Sequence, residues 1–127
     1  MRSIMFVCLV SGICVAGAGL SAEPREVIPQ QFHGVWAGSE ADCARSFPES
    51  ILTIGPMRVD FYGSRSRVLA IAVDGDTELA LLLESSGEGE TWLSTRQFRL
   101  SADGEELTDM TGGRIGMKRV LCSRSIE

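Results

Sequence analysis

The chain has 127 residues, with 12 basic and 17 acidic side chains, one histidine and four cysteines. That length supports one modest domain. A formal net charge of −5 disfavours nucleic acid and anionic membrane surfaces, which need a positive field, and a hydrophobic content of 44% is too high for a disordered chain.

The first 22 residues read as a secretory signal peptide. Arg2 supplies a short positive start, residues 4–20 form an uncharged apolar run, and small residues follow in "AGAGLSA". The run is too short and too poorly flanked for a spanning helix. Cleavage after Ala22 is favoured over Ala18, because "EPREVIPQ" turns polar at once. Lipidation at Cys14 is rejected, because Ile13 stands where a small residue is needed. Removing 22 of 127 residues leaves a single domain at 23–127 of 105 residues, with eleven basic and seventeen acidic side chains and a net charge of −6. The expected location is periplasmic or secreted. Cys8 and Cys14 leave with the leader, so Cys43 and Cys122 are the remaining pair, and export favours their oxidation. In the chain-entropy picture, a disulfide closing so large a loop contributes on the order of 4–5 kcal/mol. A metal or redox role is disfavoured: there is no CxxC, and His33 alone leaves zinc short of ligands.

After the leader, short apolar runs alternate with turn signals. In "FHGVWA", Phe32, Gly34 and Trp36 share one parity, predicting a first strand with His33 turned to solvent. Gly34 leaves room between two aromatics. Trp36 is expected in the core, against the final strands near Val120. Residues 38–50 are the one long irregular piece, with room for a turn of helix, and are placed over one end of the fold. "SILTIG" ends at Gly55-Pro56, and "MRVDFYG" puts Val59 and Phe61 on one face. "SRSRVLAIAVDGD" stops at Asp74-Gly75, a hairpin signal. Leu79, Leu81 and Leu83 then give an aliphatic face, and "SSGEGE" is a polar turn. "TWLSTRQFRLSADG" aligns Trp92, Phe98 and Leu100, "EELTDM" closes at Gly112-Gly113, and the last run carries Cys122. About eight short strands with close punctuation predict an all-β chain. Short connections pair sequence neighbours, so the expected fold is a small antiparallel up-and-down barrel closed by one disulfide. Closure also removes exposed edges.

Gly34-Val35-Trp36, at the start of the barrel, resembles the G-x-W pattern of lipocalins. A broader layout, "IP..F.G.WA", a cysteine, "LTIGP..V.FY", "SGEGETW" and a C-terminal cysteine, is similar to small secreted bacterial proteins of unassigned function. That resemblance covers most of the mature chain and implies a compact, disulfide-closed β fold without pointing to an activity. The chain lacks the length and the further motifs of a full lipocalin.

Few residues suggest chemistry. No G-x-S-x-G turn frames a serine, and no glycine-rich loop opens a helix after a strand. The acidic groups around Glu84, Glu88 and Glu90, and those at 74–76 and 102–106, lack calcium-loop spacing and read as solvated turns. Arg96 is different. It shares the parity of Phe98 and Leu100, so it either faces inward or is turned out by a bulge. An inward guanidinium needs Asp109, Glu84 or a carboxylate ligand. No catalytic residues, cofactor or metal are expected. The function expected is a non-catalytic exported binding domain, monomeric and without a membrane span after cleavage, that takes a small apolar ligand or an envelope protein. The alternative is an inhibitor of an exported hydrolase, a protease or lysozyme, that uses residues 23–31, "EPREVIPQQ", as a projecting segment.

Overall fold

A computed structural model describes residues 22–125; the apolar run of the predicted leader lies outside the described residues. Nine strands are formed among the described residues: β1 (Glu23–Arg25), β2 (Gly34–Ala37), β3 (Leu52–Ile54), β4 (Arg58–Phe61), β5 (Ser64–Asp74), β6 (Glu78–Gly87), β7 (Glu90–Leu100), β8 (Glu106–Asp109) and β9 (Lys118–Ser123). One short helix, α1 (Glu40–Cys43), follows β2. From β2 to β9 each strand pairs antiparallel with its sequence neighbour, and β9 returns to β2. The result is a closed eight-stranded up-and-down barrel, as the strand punctuation predicts. β1 stands outside the closure, its three residues paired with Ile71–Val73 of β5.

Alternation fills the interior. Leu79, Leu81 and Leu83 of β6 meet Val59, Val68, Ile71, Val73, Phe98, Leu100 and Leu107 in one continuous core. The long apolar run in β5 keeps its inward face by a bulge between Val68 and Ala70. The extra residue shifts the parity, so Val68 and then Ile71 point inward and Leu69 is left outside. The β6–β7 hairpin turns at Glu88 and Gly89, both with positive φ, the two-residue form that matches strand twist.

Closure of the barrel explains Gly34. Its φ is +142°, and a Cβ there would stand 2.5 Å from the Ser123 carbonyl oxygen of β9. Only glycine admits the closing strand so near. Trp36 is fully buried opposite Leu121, with Ala37 opposite Val120, so the tryptophan packs on the final strand as expected. The Cys43–Cys122 disulfide, with Cα atoms 5.4 Å apart, ties α1 to β9.

Three expectations for the N-terminal part are corrected. Phe32 reaches the core from a 3-10 turn at Gln30–Phe32, not from the strand. His33 is half-buried: its Nε2 lies 2.6 Å from the Ile28 carbonyl oxygen, and Ile28 is itself fully buried. Residues 23–31 do not project, because β1 is paired and the Ile28 N–H donates to the Pro56 carbonyl. In each case a buried apolar side chain outweighs the extended habit of a proline-containing segment.

Candidate functional site

The two ends of the barrel differ. At one end Ile28 and Phe32 form a plug. Trp36 Nε1 donates to the Phe32 carbonyl at 3.1 Å. Arg124 crosses beneath, donating to the carbonyls of Gln31, His33 and Gly104. Its guanidinium lies 5.9 Å from the Trp36 ring centroid.

The other end, the open end, lacks such an apolar plug; the Ser50 carbonyl of the 38–50 segment reaches Arg119 there. β5, β6 and β7 have 11, 10 and 11 residues, whereas β2, β4 and β8 have four each and β3 has three. β6 and β7 therefore rise past β8 at this end, whereas β4 keeps level with β5, whose extra length lies at the plugged end beside β1. As the strands rise, their inward positions change from apolar to polar. On β5 Val68 gives way to Ser66, on β6 Leu83 to Ser85, and on β7 Phe98 to Arg96 and Ser94. β8 adds Asp109 above Leu107, and β9 adds Arg119 before Leu121. Serine hydroxyls line one wall: Ser66 and Ser85 are 2.7 Å apart, and Ser85 and Ser94 are 3.4 Å apart.

Arg96 is the inward residue singled out in the sequence. The β6–β7 register runs unbroken from Glu78 opposite Arg99 to Gly87 opposite Glu90, so no bulge turns it outward. Its Nη1 donates to Asp109 Oδ2 at 2.8 Å, and its guanidinium stacks 4.4 Å from the Phe61 ring centroid. Glu84, the other candidate partner, pairs with Arg67 on the outer face. Burial pushes the Asp109 carboxyl up, but hydrogen bonds from Thr111 and the charge of Arg96 outweigh it and hold the group below the usual carboxylate range.

Arg119 carries no sequence flag of its own, yet it is the most unusual residue of the layer. It is only 7% exposed. Its Nε donates to the Ser50 carbonyl at 2.8 Å, and its guanidinium lies 6.0 Å from the Phe61 ring. Among the described residues it has no ion-pair partner, and Asp109 is already engaged by Arg96. Burial draws its guanidinium below its ordinary value; Asp109 opposes that shift, and Arg96 adds to it. The layer thus holds two cations and one anion. Parity could have found it, because Arg119 and Leu121 alternate with Cys122, whose sulfur leaves the barrel wall toward α1.

Around the opening stand exposed aromatic and apolar side chains. Phe47, 62% exposed, stacks on Tyr62 with ring centroids 5.0 Å apart, and Trp92 and Met117 are also exposed. A surface cleft of about 690 Å³ runs beside Phe61, past Ser64, Gly87 and Glu90, and along Thr53, Asp60 and Arg65 of the outer face; Arg96 and Arg119 do not line it. No cluster of three or more His, Cys, Asp or Glu suited to a metal occurs among the described residues, and none of their helices is long and apolar enough to cross a membrane. The fold and site define a closed β-barrel with one plugged end and one open, arginine-bearing end. No protein-family model, curated protein or solved structure matches the chain.

Proposed function

We propose that this is a non-catalytic binding domain of the periplasm or extracellular space, and that its open end holds a small organic carboxylate. Arg119 carries the reading. A buried guanidinium with no ion pair of its own, sharing one carboxylate with Arg96, is costly. Here the excess positive charge persists inside an acidic protein. A ligand carboxylate would supply the missing anion, and the planar fork of arginine suits it. Phe61 and the serine wall would contact the remainder of a short ligand. The lower barrel is filled by side chains, which disfavours a long apolar chain inserted along the axis.

The test is a titration of the mature domain, with arginine side chains labelled for NMR, using benzoate and its uncharged analogue benzamide. Benzoate is expected to shift the Arg119 and Arg96 Nε–H signals at up to millimolar concentration, whereas benzamide leaves them unmoved. Arg119→Met should abolish the benzoate response. Equal responses to benzoate and benzamide, or none to either, would overturn the reading.

A further inference from the structure

The upper half of β7 has a second edge that nothing pairs. β8 meets β7 only at Phe98, Arg99 and Leu100. Just above, Gln97 directs both backbone groups away from β6: its N–H donates to Thr111 Oγ1, and its carbonyl accepts from the Met110 N–H. Backbone direction alternates along an antiparallel strand. The N–H and C=O groups of Thr91, Leu93 and Thr95 therefore point the same way as those of Gln97, and no strand meets them among the described residues. All three residues are exposed. Leu93 is 65% exposed and Trp92 43%, so the bare edge also carries apolar surface. Natural proteins blunt such an edge with charge, proline or a covering segment. Here no proline or lysine interrupts residues 90–96.

We infer that this edge pairs with the same edge of a second copy of the chain. The segment is self-complementary about Leu93. In an antiparallel pairing with a two-fold axis there, Leu93 faces its own counterpart and Thr91 faces Thr95. Trp92 faces Ser94, and Glu90 faces Arg96. Glu90 thus meets no like charge, and Arg96 keeps its Asp109 partner inside the barrel. A two-fold strand pair is an isologous contact that closes after two copies, so it does not propagate into a fibre. It joins two barrels through one continuous sheet and replaces the monomer expected from the sequence. The inference is independent of the carboxylate reading, because it rests on backbone groups and not on Arg119.

Sedimentation of the mature domain over a rising concentration series decides it. The mass is expected to double with concentration, and both Thr95→Pro and Leu93→Lys are expected to abolish the doubling. Proline at residue 95 removes an N–H directed away from β6, so the β6–β7 pairing stays intact, and an unchanged far-UV spectrum confirms the fold. A single-chain mass at every concentration would overturn the inference. So would a doubling that both variants retain, since another surface would then be responsible. Capture of an extended peptide on this edge by a protein that never self-associates would overturn it as well.

Discussion

The plugged end and the open end are built from the same alternating strands. Among the described residues no buried side-chain polar atom lacks a hydrogen-bond partner, yet the two ends differ in their balance of charge. At the plugged end each polar atom closes a local account of hydrogen bonds. Trp36 caps Phe32, His33 meets Ile28, and Arg124 covers three carbonyls from a partly solvated position. At the open end the serines pair among themselves and Arg96 pairs with Asp109, but Arg119 is buried against one carbonyl and an aromatic edge. The first arrangement is what stability alone selects. The second leaves positive charge in a low-dielectric site, a feature expected where a ligand completes the structure. Substitution of Arg119 should therefore differ in sign as well as in size from substitutions in the plug.

The largest effect is expected at the plugged end. Trp36→Ala deletes a fully buried indole and empties the space it fills in the barrel core. Such truncations cost about 3–5 kcal/mol, enough to lower the thermal midpoint by many degrees. His33→Ala removes one hydrogen bond to the plug and should cost roughly 1 kcal/mol. A tryptophan variant as stable as the histidine variant would break the assignment of this end as the structural one.

Asp109→Asn should fall between these two at neutral pH, because it strips the carboxylate from two guanidiniums. The pH dependence sharpens the point. The folded carboxyl lies below its ordinary value, so its contribution is present above the unfolded value of about 3.9 and is lost as pH falls through the folded value. The midpoints of wild type and Asp109→Asn should therefore converge in acid and separate above it. A gap that is constant with pH would show that the carboxylate charge is not what holds Arg96.

Much of the architecture was legible because it rests on period and punctuation. Asp74-Gly75, Asp103-Gly104 and the turn at 88–89 each specify a hairpin by local backbone preference, and the two remaining cysteines allow one pairing. The course of residues 23–33 was not legible. Pro24 and Pro29 speak for an extended segment but not for what it covers, and the burial of Ile28 depends on an opening that exists only once β3–β5 have assembled. The parity of β7 placed Arg96 on the inward face but left a bulge open; the unbroken β6–β7 register excluded it. Arg119 was overlooked for a related reason: in "MKRVLCS" a charge beside lysine looks like an ordinary exposed strand end. Which of two adjacent cations turns inward is set by the pairing of Leu107 with Arg119, a long-range fact.

The smallest net effect is expected from Arg119→Met, and its sign is the informative part. The substitution loses the hydrogen bond to the Ser50 carbonyl, a cost of about 1 kcal/mol. It also removes a buried cation that has no ion-pair partner among the described residues, and replacing buried charge by an apolar side chain of similar length is often neutral or stabilising. The two contributions oppose, so the thermal midpoint should stay near that of wild type or rise slightly. Thermal unfolding of both proteins, each with and without benzoate, checks this. Benzoate should raise the wild-type midpoint by mass action and leave the methionine variant unmoved. A midpoint that drops as far as that of Trp36→Ala would make Arg119 a structural residue. The two ends of the barrel would then obey the same rule after all.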